Sequence, residues 1–145
     1  MGTKPTIEVR ELARARTLAT VKSLDSVRKG ILLLFLYEAN LIEKGNAKID
    51  LHLADMSGAW IIGIDLHSAD LHGIGLRNTD LHFVDLSDTD LSFADLRGDD
   101  LTGVNLRGAN LTGNKITQQQ LDQVNTCKDA ILPIEDQRLT CHHGQ

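Results

Sequence analysis

Histidine and aspartate supply the residue types with chemical potential in this chain: His52, His67, His72 and His82 are interspersed with Asp50, Asp70 and Asp80. Imidazole beside carboxylate can ligate a transition metal or titrate near pH ~6.5. Further on, Cys127 and the run Cys141-His142-His143 offer thiol and imidazole ligands. The two cysteines can also pair, but a cytosolic setting disfavours a disulfide, and Cys127 is expected buried in a terminal cap. No phosphate-binding glycine loop, nucleophile motif or metalloprotease signature is present. Neither catalysis nor a cofactor is expected.

The elements that must position these groups follow from one periodicity. Leu51, Met56, Ile61, Leu66, Leu71, Leu76, Leu81, Leu86, Leu91, Leu96, Leu101, Leu106, Leu111 and Ile116 recur every five residues without an insertion. The residue before each is mostly Asp, and two before stands a small or β-branched residue such as Ala69, Val84 or Ala94. A five-residue step turns about 140° on a helix and scatters the leucines around it. On a flat strand it sends them alternately to both faces. The pattern is consistent with a chain that bends at every repeat, so that each Leu points to a common axis and successive coils stack as a solenoid.

Ala69-Asp70-Leu71-His72-Gly73, Ala94-Asp95-Leu96-Arg97-Gly98 and Ala109-Asn110-Leu111-Thr112-Gly113 resemble the pentapeptide-repeat family, whose consensus is Ala-(Asp/Asn)-Leu-x-x. The resemblance implies an all-β solenoid: a right-handed quadrilateral β-helix with four repeats per coil, here about 3.5 coils spaced about 4.8 Å apart. It also implies that the central Leu and the small residue two before it point inward. Trp60, Gly75 and Lys115 depart from the consensus Asp, and Asp99 falls at an inward position in the column of Ala59, Thr79 and Gln119. Near the solenoid end, Asp99 is expected to be satisfied structurally rather than to act as a catalyst.

Four-fold stacking would place residues twenty apart in columns: Asp50, Asp70 and Asp90 in one, Asp80 and Asp100 in another, Asp65 and Asp85 in a third. His52 and His72 would then share a face with Asp50 and Asp70, an arrangement with metal-binding potential, although no metal site is assigned. The charge is uneven, with net +4 over residues 1–48, −7 over 49–118 and −2 thereafter. Eleven Asp on a rod of about 17 Å give one carboxylate per ~1.5 Å, close to the one charge per about 1.7 Å of duplex DNA. Some relatives in the family protect DNA gyrase by DNA-like shape and charge, though as longer rods. The alternative is that Asp serves turn geometry and solubility.

Outward apolar residues are the other candidate contacts. Phe83 and Phe93 are placed to meet a partner or a second copy, as in a homodimer, whereas Trp60 and Ile62 are expected to lie under an N-terminal helix. That lead-in, residues 1–48, reads as two helices, Ile7 to Lys22 and Val27 to Glu43, the second capped by Asp25 or Ser26 and leaving little polar face. Its phrases resemble lead-ins of bacterial, notably cyanobacterial, pentapeptide-repeat proteins, some of which follow membrane helices. Residues 49–118 form the repeat and 119–145 a short helical cap with a loose tail from Leu139, which would shield the open coil edge.

With no apolar run long enough to span a membrane and no signal peptide pattern, a cytoplasmic protein is expected. The function expected is a non-enzymatic scaffold or protein-interaction module with a protein partner and no direct nucleic-acid contact. The candidate contacts are Phe83, Phe93, Asp70, Asp90, Asp80 and Asp100. The alternatives are an acidic DNA mimic acting on a type II topoisomerase and a metal- or pH-responsive His/Asp face.

Overall fold

The computed structural model describes residues 7–134 and 138–142. Its central part is built by one local device repeated every five residues. The carbonyl of each core Leu accepts the N–H three residues on, as from Ala54 to Leu51 (2.9 Å), Ala69 to Leu66 (3.1 Å) and Ala94 to Leu91 (3.0 Å). The residue just before that donor is left-handed, as at Leu53, Gly58, Gly63, Ser68 and Gly73. A hydrogen-bonded turn with positive φ at its third residue has the signature of type II. It reverses only part of the chain direction before the next one begins.

Between turns, single residues pair in parallel with residues twenty positions away: Asp65 with Asp85, Asp70 with Asp90, Gly75 with Asp95 and Asp80 with Asp100. Four repeats therefore make one coil. Among the described residues these pairings are isolated bridges; no continuous strand forms, because the turns leave only one bridging residue in each repeat. The expectation of β-strands is corrected to that extent. All fourteen core residues from Leu51 to Ile116 are buried. So are the small residues two before them, including Ala54, Ala69, Val84 and Ala109.

The first repeat is irregular. Residues 42–44 run antiparallel to Ser68–Asp70, with Asp70 N–H donating to the Ile42 carbonyl at 2.6 Å and Lys44 N–H to Ser68 at 2.8 Å. That segment takes the bridging position expected for Asp50. The column therefore starts at Asp70–Asp90, and Asp50 instead pairs with Arg14 at 3.1 Å.

Helix α1 spans Ile7–Ser23 and α2 spans Ser26–Glu38. The cap of α2 is Asp25, whose carboxylate accepts the Arg28 N–H at 2.8 Å. The helix ends five residues before the expected Glu43, since residues 41–44 are drawn out to pair with the coil. Gly30 lies where a Cβ would fall 2.0 Å from the Trp60 carbonyl oxygen. Only glycine lets the α2 backbone approach the first coil so closely, which outweighs its weak helix propensity. Beside it Lys29 is buried with its Nζ on the Ser57 carbonyl at 2.9 Å.

At the other end, α3 covers Gln118–Leu121 and starts with a capping box between Thr117 and Gln120. Gln120, not Gln119, enters the Asp99 column, donating to the carbonyls of Leu96 (2.8 Å) and Asp99 (3.2 Å). The helix shifts the register, so that Thr126 and Ile131 pair with Asn105 and Asn110 at twenty-one residues rather than twenty. The tail is not loose in its described part. Cys141 forms a disulfide with the buried Cys127, and the Gln118 side-chain amide clips the Thr140 backbone through both N–H and carbonyl. His143 lies outside the described residues.

Candidate functional site

Every aspartate before a core Leu faces the same local task. Asp50, Asp65, Asp70, Asp80, Asp85, Asp90, Asp95 and Asp100 each place Oδ1 on the N–H two residues on, from 2.8 to 3.3 Å. This is an Asx turn, which pins the start of the next bend. Asn105 and Asn110 make the same bond to Arg107 and Thr112, both at 3.1 Å. The turn therefore requires an acceptor oxygen but no charge.

Three of these carboxylates, Asp85, Asp95 and Asp100, are held ionised all the same. Side-chain bonds from Arg97 and from Thr102 lower the pKa of Asp95 and Asp100, respectively. At Asp85 burial works to raise the pKa, but the bonds from Ser87 and Asn105 together outweigh it and the net direction is down. The basic groups neutralise the columns selectively. Arg14 takes Asp50, Arg77 and Arg97 take Asp95, and His82 sits between Asp80 and Asp100. Among the described residues Asp65, Asp70, Asp85 and Asp90 have no Lys or Arg ion pair. These two adjacent columns are the least compensated acidic surface.

The four histidines are engaged in ways their spacing did not announce. His52 and His72 stack face to face, with centroids 5.0 Å apart and planes 20° apart, and Phe93 meets His72 edge-on at 5.7 Å. Stacked rings keep their in-plane lone pairs from converging on one point, and His72 Nδ1 faces Ser92 Oγ at 2.9 Å. No group of three or more His, Cys, Asp or Glu able to hold a metal occurs among the described residues. His82 presents one ring nitrogen to Asp80 and the other to Asp100; the Asp80 bond, aided by both charges, raises its pKa.

His67 contacts Ser87 Oγ at 3.0 Å and Ser68 Oγ at 3.1 Å, at the edge of a groove of about 410 Å³ that also involves Tyr37, Glu38 and Glu43. Ser, His and Asp meet here, but Ser87 Oγ donates its proton to Asp85 at 2.5 Å. The carboxylate thus binds the serine instead of orienting the histidine, which is not the relay of an activated nucleophile.

Phe83 and Phe93 are 67% and 61% exposed, so both are available at the surface. Each occupies a left-handed turn position, and its ring lies over a glycine of the next coil, where a Cβ on Gly103 or Gly113 would come within 2.5 Å of ring carbons. Sequence reasoning missed this pairing of aromatic with glycine, although the twenty-residue spacing from Phe83 to Gly103 is visible in the chain. Contrary to the expectation from sequence, α2 does not cover Trp60 and Ile62, which are 57% and 43% exposed. The helix packs on the Trp60 backbone, accepting its N–H at the Ser26 carbonyl (3.0 Å), and leaves the side chain outside.

Asp99 is 5% exposed. Its Oδ1 accepts the Thr79 N–H at 2.8 Å, but Oδ2 and the neighbouring Thr79 Oγ1 have no partner. Burial pushes its pKa up to about 7 against the Thr79 bond, and the Asp95 charge adds to the rise. The folded state thus holds a proton that the unfolded chain releases near pH ~4. Stability falls as pH rises from there to about 7 and is level above it. Asp99→Asn keeps an acceptor for Thr79 and removes the charge. It is expected to stabilise the protein by on the order of 2 kcal/mol at pH 8 with little gain at pH 4, measured by urea unfolding at both pH values. Equal gains at both would show that ionisation is not the cost.

Residues 64–101, 74–113 and 89–125 match the family of pentapeptide repeats in eight copies. A pentapeptide-repeat protein of Nostoc is 34% identical over 75% of this chain and 88% of its own, with a TM-score of 0.37. This chain belongs to the pentapeptide-repeat family. The family fold is a right-handed quadrilateral β-helix, which the bridges at twenty residues match in their four repeats per coil. HetL of Nostoc, a pentapeptide-repeat protein involved in heterocyst differentiation regulation, is 30% identical over 61% of this chain and 39% of its own, at TM-score 0.31. A pentapeptide-repeat protein from the Arabidopsis thaliana thylakoid lumen is 28% identical over 52% and 59%, at TM-score 0.27. No curated protein matches the chain. No helix among the described residues is long and apolar enough to cross a membrane.

Proposed function

We propose that this pentapeptide-repeat protein is a non-enzymatic scaffold that docks a basic protein surface on the columns Asp65–Asp85 and Asp70–Asp90. The observation that carries the reading is the equivalence of Asn105 and Asn110 with the aspartates. Since the turn does not need the charge, four carboxylates left without Lys or Arg partners are surplus to folding. Rigid columns also cost little ordering entropy on binding. Phe93, beside the Asp70–Asp90 column, adds an apolar contact at its margin.

Replacing Asp65, Asp70, Asp85 and Asp90 together by Asn tests this. The turns keep their acceptors, so thermal unfolding is expected to change little. Partners captured from host extract by the wild type are expected to elute between low and high salt and to be lost with the variant. Retention of the same partners by the variant would discard the acidic site. The DNA-mimic alternative uses the same charges and commits to one partner, a type II topoisomerase. It requires inhibition of supercoiling by the wild type and none by the variant.

The disulfide bears on the compartment. Such bonds persist in oxidising surroundings, so an oxidising location is part of this proposal in place of the cytoplasm.

A further inference from the structure

Among the described residues, the outer face of α2 is apolar and uncovered. Val27, Ile31 and Phe35, one turn apart, are 47%, 62% and 59% exposed, while Lys29, Gly30, Leu33 and Leu36 on the opposite side are buried against the coil. A helix of a small domain ordinarily turns such a stripe inward. Trp60, whose backbone N–H donates to the Ser26 carbonyl at the start of this helix, is exposed as well.

The charges bordering the stripe say what covers it. Arg28 stands at the N-terminal end and Glu38 at the C-terminal end, both exposed. Glu38 has no ion-pair partner among the described residues, and Arg28 contacts only its own cap, Asp25, through one guanidinium nitrogen. A second α2 laid antiparallel, with a two-fold axis at Leu33, sets Ile31 opposite Phe35 and Val27 opposite the exposed Ala39. The same register sets Arg28 opposite Glu38, at both ends. Sequence symmetry about one residue thus matches apolar to apolar and plus to minus. Antiparallel helix dipoles add to the match.

We infer that the Val27–Ile31–Phe35 face of α2 pairs antiparallel with the same face of a second copy of this chain. The interface is isologous and closes on itself, so it gives a dimer rather than a filament. It lies on the helical lead-in, whose Tyr37 hydroxyl reaches Asp65 at 3.3 Å, but it uses none of the acidic columns and stands or falls separately from the docking proposed for them.

Sedimentation equilibrium of the full chain tests it. A dimer is expected at micromolar concentration, and Phe35→Asp or Ile31→Lys is expected to weaken it at least about 100-fold while leaving the circular dichroism spectrum unchanged. Arg28→Glu and Glu38→Arg are each expected to weaken association about 10-fold, and the two combined to restore it. A monomer at all concentrations would overturn the inference, including one that binds lipid vesicles through this face. A dimer indifferent to Phe35→Asp and Ile31→Lys would overturn it as well, and failure of the paired charge reversal would overturn the antiparallel register.

Discussion

Leu86→Ala is expected to lower the free energy of unfolding by about 2–5 kcal/mol, toward the upper end of that range. Leu86 is fully buried, midway along a column between Leu66 and Leu106. The cost of such a truncation depends on whether the surroundings can close over the space. Here they are held apart. Leu86 N–H donates to the Asn105 carbonyl at 2.9 Å and Leu66 N–H to Asp85 at 2.9 Å, fixing the coil spacing on either side. The void therefore persists. A control at Leu53, 68% exposed in a turn, is expected to change stability by no more than about 0.5 kcal/mol. Chemical denaturation of both variants makes the comparison, and a cost below about 1 kcal/mol at Leu86 would mean that the coils can slide together.

Reducing the Cys127–Cys141 bond is expected to cost about 3 kcal/mol, since the link closes a loop of fourteen residues at the C-terminal end. In thermal unfolding this corresponds to a drop of roughly 10 °C. Cys127 is buried, so the bond fastens the tail directly to the core. The Gln118 clip on Thr140 then holds that segment against α3. Cys141→Ser should unfold at the lower temperature with or without reductant, whereas the wild type should fall to it only when reductant is added. Identical curves for all four conditions would show that the tail adds nothing to the stability of the last coil.

The five-residue period of Leu51 to Ile116 was enough to exclude a plain helix or flat strand and to select a stacked coil, because neither regular element can bring an odd period of five to one side. The family resemblance carried by Ala69-Asp70-Leu71 and its companions supplied the four sides. The aspartates were legible as turn residues for the same local reason: their acceptor reaches an N–H only two residues away. Long-range choices were not legible. Nothing in the chain near Asp50 showed that residues 42–44 would take its bridging position, and nothing near Trp60 showed that α2 would seat on its backbone. Gly30 weakened the helix by local propensity, yet its purpose is a contact with a carbonyl thirty residues on.

Local hydrogen bonds and the inward Leu were thus determined by the sequence itself, since each depends on neighbours a few residues apart repeated without error. The tertiary structure alone decided which charges remain uncompensated, that Cys141 reaches Cys127, and that Asp99 is buried with one oxygen unpartnered. Those outcomes depend on distances between segments far apart in the chain, and so on how the coil ends are closed by α1, α2 and α3.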